Sequence, residues 1–128
     1  MKIFTLILLI SICTLTVFQS CHKKLINQTY CTLEYRTVSI QVIGDTLDDY
    51  YTIRQTSGDT IRINNINSIF ENNYPVLDDN YQQHIENSTE TFLFYGLIND
   101  SIVVREPFVI KADRCHIEYV SGRFQVNL

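Results

Sequence analysis

Residues 92–128, FLFYGLINDSIVVREPFVIKADRCHIEYVSGRFQVNL, decide the fold. Phe92, Phe94 and Ile98 alternate with Leu93, Tyr95 and Leu97, the period-two signature of a strand. Asn99-Asp100 forms a turn, and Ile102-Val103-Val104 and then Phe108-Val109-Ile110 follow it. Cys115, Ile117 and Tyr119 make one face of the next strand. Ser121-Gly122 turns the chain into a last strand, where Phe124, Val126 and Leu128 alternate. Short strands at regular spacing, with no long helical pattern, predict an all-β antiparallel sandwich.

Working back toward the amino terminus, Tyr74-Pro75-Val76-Leu77 is strand-like, and Pro75 confines it to an edge or a strand start. Asp79-Asn80-Tyr81-Gln82 has the logic of a capping box opening one short helix, which ends before Asn87. In this reading Asp79 covers free amides and Tyr81 and Ile85 share a face. Residues Asn64 to Asn73 are Asn-rich and ambiguous. Tyr51, Ile53 and Gln55 alternate with Tyr50, Thr52 and Arg54. The turn Thr56-Ser57-Gly58-Asp59 then leads to a return strand, Thr60-Ile61-Arg62-Ile63. From Tyr30 to Val42 the period is again two, with Leu33 and Tyr35 on one face and Val38, Ile40 and Val42 on the other. The change of parity near Arg36-Thr37 predicts a bulge or a strand that passes between sheets. Gly44-Asp45 closes that segment.

The first twenty-one residues are of another kind. Lys2 leads into the apolar run Ile3 to Ile10, and Phe18-Gln19-Ser20 then meets Cys21 and the basic pair Lys23-Lys24. That order predicts an export signal whose processed end is a lipid-bearing cysteine. The run resembles a bacterial lipobox, in the loose form of lipoproteins from gut-dwelling Gram-negative bacteria. Phe18 replaces the usual Leu and Gln19 is bulky, while Ser20 fits the pattern. Cys13 would leave too short an apolar region. An ordinary cleaved signal and a retained membrane helix are the alternatives. The apolar core is shorter than the ~20 residues a bilayer requires and is interrupted by Thr5, Ser11, Thr14 and Thr16. The expected organisation is therefore a signal peptide over 1–20, a tether over 21–29 and a β-sandwich over 30–128. The resemblance implies an outer-membrane lipoprotein, and the basic rather than acidic residues after Cys21 favour its periplasmic face.

Beyond Met1-Lys2 the chain holds nine basic and fourteen acidic residues, a net charge of −5. No basic stripe exists to displace counterions, so nucleic acid is excluded as an expected partner. With Cys21 acylated and Cys13 removed, Cys31 and Cys115 remain. An oxidising compartment favours a disulfide between them, joining the first strand to a late one. A metal site or two free thiols are the alternatives, and the pair lacks the CxxC spacing of a zinc site.

Residues 31–38, 74–81 and 112–117 (CTLEYRTV, YPVLDDNY and ADRCHI) resemble a group of short bacterial envelope lipoproteins. Those look like Ig-like or transthyretin-like, carboxypeptidase-regulatory-like sandwiches. The resemblance implies that fold and carries no activity.

No catalytic set is legible. Gly-x-Ser-x-Gly, a Gly-rich phosphate loop and HExxH are missing. His116 and Glu118 lie two apart and would leave one face of a strand, a spacing that could serve a metal or acid-base chemistry. His84 and His22 stand too far off to assist, so an exposed polar face opposite Cys115, Ile117 and Tyr119 is expected. Asp48-Asp49 and Asp78-Asp79 lack the spaced oxygen pattern of a calcium loop. No metal, cofactor or enzymatic activity is expected. Asp45-Thr46-Leu47, Asp59-Thr60-Ile61 and Asp100-Ser101-Ile102 resemble the acceptor motif of a bacterial protein O-glycosylation system. That marks Thr46, Thr60 and Ser101 as expected modification sites, each in or beside a turn. Two functional classes remain. The first is a non-catalytic lipoprotein that binds the membrane through its lipid and an envelope protein through its sheet edges. The second is a small-ligand or glycan-binding module using Tyr50, Tyr51, Tyr74 or Tyr95 as stacking platforms.

Overall fold

The computed structural model describes residues 30–63 and 72–128. The signal, Cys21 and the Asn-rich stretch 64–71 lie outside them. Among the described residues, eight strands and one 3-10 helix follow in chain order: β1 (Thr37–Ile43), β2 (Asp49–Arg54), β3 (Thr60–Ile61), β4 (Asn73–Asp78), the helix (Asp79–Ile85), β5 (Ser88–Ile98), β6 (Ser101–Ala112), β7 (Ile117–Ser121) and β8 (Gln125–Asn127). They form a three-stranded sheet, β4-β1-β8, and a five-stranded sheet, β3-β2-β5-β6-β7. The expected β-sandwich is what the chain adopts. No described helix is long and apolar enough to cross a membrane.

The frame is the β5–β6 hairpin, paired antiparallel from Ser88↔Ala112 to Ile98↔Ser101. Asn99 and Asp100 close it with φ of 48° and 59°. Both are left-handed, as a two-residue turn matching strand twist requires, and short polar side chains tolerate that region best. Alternate positions then face inward. Phe92 and Phe94 from β5 and Val104, Phe108, Ile110 and Ala112 from β6 are buried against Val38, Ile40 and Val42 of β1. Pro75 sits on β4, an edge strand, opposite the register shift at Val38/Ser39. A proline there forfeits no ladder bond that a central strand would need.

Two expectations about strand pairing are overturned. The segment Tyr30–Arg36 is not the beginning of β1. Leu33 is fully exposed, so the alternation of Leu33 and Tyr35 has no core to face. The last strand is also not an antiparallel return from β7. β8 crosses to the other sheet and runs parallel to β1, pairing Gln41↔Gln125 and Val42↔Val126. The crossing happens at Gly122, which has φ of 148° and lies against the Phe108 ring; a Cβ there would come within 2.5 Å of it. Of the three alternating apolar residues of this strand, only Val126 is buried; Phe124 and Leu128 are half out.

Gly122→Ala should therefore cost about 2–4 kcal/mol, combining backbone strain with overpacking against Phe108. Gly58, at φ 79° with open space where a Cβ would go, is the control: Gly58→Ala should cost only about 1 kcal/mol. Urea unfolding followed by circular dichroism measures both.

Candidate functional site

The densest polar cluster among the described residues gathers on Asp79. The cap of the 3-10 helix is Asp78, not Asp79: the Asp78 side chain accepts from Asn80 N at 3.1 Å. Asp79 is thereby released to reach across the molecule. Its Oδ2 accepts from Arg36 N at 2.9 Å and from His116 Nδ1 at 2.7 Å, and its Oδ1 accepts from Ile117 N at 2.8 Å. Asp79 N donates in turn to Arg36 O at 3.0 Å. Gln82 does not close a capping box; its side-chain amide donates to Asp113 O.

His116 is not on an exposed polar face. It precedes β7 rather than lying in it, so strand alternation does not govern it, and it is buried at 8% exposure. Its Nε2 meets Thr32 Oγ1 at 2.9 Å. With Asp79 ionised, Nδ1 donates to the carboxylate, and Nε2 of a neutral ring accepts from the Thr32 hydroxyl. A protonated ring would donate to that same oxygen, so the contact persists in either state. Glu118 points elsewhere, to Lys111 Nζ at 3.1 Å.

Cys31 and Cys115 are joined, with Cα atoms 5.3 Å apart. The bridge ties the arm Tyr30–Arg36 to the loop between β6 and β7, not one strand to another as expected. It immediately precedes both Thr32 and His116 in the chain. Closing a loop of this length contributes roughly 4–5 kcal/mol as an upper figure. Asp113 completes the loop by accepting from Cys115 N at 2.6 Å and His116 N at 2.8 Å through Oδ1.

Electrostatics follows from these bonds. Burial opposes the ionisation of Asp79, but hydrogen bonds from Ile117 N, His116 and Arg36 N outweigh it and hold its carboxyl below the usual range. The amides of Cys115 and His116 lower Asp113 similarly. A second cluster joins β2 to β5. Arg54 grips Glu90 with two bonds of 2.6 Å, and Thr56 and Ser88 add to it. Arg54 above all pulls Glu90 down to about 2. Nothing in the local sequence pairs Arg54 with Glu90, which lie on different strands.

Hydroxyl, imidazole and carboxylate stand in the order hydrolases use to activate a nucleophile. The amides of Arg36, Cys115, His116 and Ile117 are already bonded to Asp79 or Asp113, however, and so cannot serve as an oxyanion hole. What the arrangement does is fasten the arm to the helix start and to the β6–β7 loop.

The remaining sequence candidates are dispersed. Asp48 accepts from Asn99 N at 2.7 Å and Asp49 pairs with Arg62 at 2.6 Å, so the acidic pairs are engaged separately. Tyr74 is buried and its hydroxyl accepts from Leu47 N; Tyr50 faces the core and donates to Ile63 O. Tyr51 and Tyr95 lie on the outer face of the five-stranded sheet, stacked on each other at 5.1 Å with Arg62 and Arg105 over the rings. Rings covered by one another and by guanidinium groups are cross-strand packing more than an open platform. Thr46, Thr60 and Ser101 are all exposed. No known protein family, no curated protein and no solved structure matches the chain.

Asp79→Ala would leave two backbone amides and an imidazole without their shared acceptor, and should cost about 3 kcal/mol in urea unfolding. Acid acts on the same groups. Asp79, Asp113 and Glu90 all have depressed folded-state pKa values, so their contribution is complete above the unfolded carboxylate range of about 4–4.5. It should fade as pH falls from there toward 2. The thermal midpoint should drop through that window, and less steeply in Asp79→Asn.

Proposed function

We propose that the chain is a lipid-anchored envelope module: exported, acylated at Cys21, held on the periplasmic face of the outer membrane, and acting through protein contacts rather than catalysis. One observation carries this reading. The arm leading back toward Cys21 joins neither sheet, yet is fastened to the domain by a disulfide, Thr32–His116 and the Asp79–Arg36 bonds. Such a fastening would fix where an anchor enters the domain, and the disulfide accords with an oxidising compartment. Acyl chains on Cys21, with Lys23 and Lys24 at the headgroups, would hold the domain at an anionic surface. The transthyretin-like affinity of the sandwich and the modification of Thr46, Thr60 and Ser101 belong to this same proposal. Glycan binding is the second reading; the outward Tyr51–Tyr95 pair supports it, and the covered ring faces weigh against it.

Metabolic labelling with an alkynyl fatty acid tests the anchor. The wild-type chain should carry the label and pellet with membranes, and Cys21→Ala should lose both. Label retained in Cys21→Ala, or an intact signal on the mature chain, would sink the proposal. Photo-crosslinkers placed across both sheets should capture an envelope protein from one face; uniform silence would argue for the glycan reading.

A further inference from the structure

The departure of β7 from β6 leaves an unfilled place in the five-stranded sheet. β7 pairs with β6 only from Val109 to Ala112, so Ser101–Pro107 is bonded, among the described residues, to β5 alone. Backbone parity shows which groups are left open. Thr91 O and Leu97 O of β5 accept from Gln55 and Asp48 on the β2 side. The intervening residues Phe92, Phe94 and Gly96 therefore face β6, opposite Phe108, Glu106 and Val104. It follows that the N–H and C=O of Arg105 and the C=O of Pro107 point away from β5 and bond no described residue. Pro107 has no N–H to offer there, and Gly122 carries the chain off to the other sheet at this level.

Across the gap, β8 presents a second free edge. Phe124 O and Leu128 N bond β1, which turns the backbone groups of Gln125 and Asn127 outward. Between the two edges runs a groove of about 270 Å³, lined by Val104, Arg105, Glu106, Arg123, Val126 and Leu128 among others. Ile102, Phe124 and Leu128 are each about half exposed beside it, at 54%, 54% and 48%. Arg123 pairs with Glu106 at 3.1 Å, whereas Arg105 makes no ion pair among the described residues. The lip of the groove is thus net positive on a chain whose net charge is −4.

We infer that this open edge of β6 receives an extended strand from a partner protein, apolar on alternate residues and carrying a carboxylate on the others. Side-chain parity sets that chemistry. An added strand continues the two faces of the sheet, so its inward residues lie beside Val104, Val126 and the Glu106–Arg123 pair, and its outward residues lie beside Arg105. Charge complementarity at Arg105 selects the acidic sequence over a basic one. This inference rests on the protein-interaction reading above and specifies its surface.

The probe is a synthetic octapeptide alternating valine with glutamate, titrated into the 15N-labelled domain beside its valine–lysine counterpart. Saturable amide shifts should concentrate at Ile102–Glu106 and at Gln125–Asn127 with the acidic peptide. N-methylation of its edge-facing amides should abolish them. Arg105→Glu leaves the core untouched, takes the guanidinium from over the Tyr95 ring and so should lower the melting temperature only slightly; it should weaken the acidic peptide about tenfold and favour the basic one. No shifts at millimolar acidic peptide, or equal response to both peptides, would overturn the assignment. Shifts at these amides on raising protein concentration alone would also overturn it, in favour of a second copy. A photo-crosslinked partner on another face, with this edge silent, would remove the edge and leave the interaction reading standing.

Discussion

The carboxylate of Asp79 holds together three pieces of chain that no sheet joins. Arg36 N reaches it from the arm, and His116 Nδ1 and Ile117 N from the point where the β6–β7 loop runs into β7; the helix start that carries Asp79 is the third piece. Each donor is at least partly buried, so each would suffer if left unmatched. The disulfide and the Thr32–His116 bond depend on the same arrangement, because Cys31 with Cys115, and Thr32 with His116, are consecutive pairs. Asp78 makes this possible by taking the helix cap. Two adjacent aspartates divide two tasks, one local and one long-range.

The sandwich has a corresponding hinge in its last strand. Phe108, fully buried, occupies the position over which the chain must pass to reach β1, and only a residue without Cβ passes so close. Pro107, next to it, supplies no N–H with which β7 could continue pairing. The two features act in the same direction. They end the β6–β7 pairing at Val109 and give the three-stranded sheet its parallel edge.

These choices bear on what kind of protein this is. The cluster most like a catalytic relay has its amides committed to holding the arm, and the outward tyrosines are covered by each other and by arginine. What stays open among the described residues is backbone at the sheet edges, and Ile102, Phe124 and Leu128 are half exposed. Backbone edges bind strands.

The strands themselves were legible because alternation reports directly on which side chains a sheet buries. Val38, Ile40 and Val42, Phe92 and Phe94, the Asn99-Asp100 turn and the edge position of Pro75 all follow from local pattern and turn chemistry. The cysteine pair was legible too, as the two that lie beyond the expected signal and Cys21. Alternation misled at Leu33 and Tyr35, where polar bonds to the arm replace a core, and at His116, which stands in a loop where period two has no meaning. Asp79 reads as a cap because capping is a local property, whereas its partners lie 37 and more residues away. The sequence by itself determined the all-β class and the alternation of Val38, Ile40 and Val42 and of Phe92 and Phe94 that the sheets bury. Only tertiary structure decided the parallel placement of β8, the grip of Arg54 on Glu90, and the gathering on Asp79. Those rest on contacts between segments distant in the chain, and spacing along the chain carries no record of them.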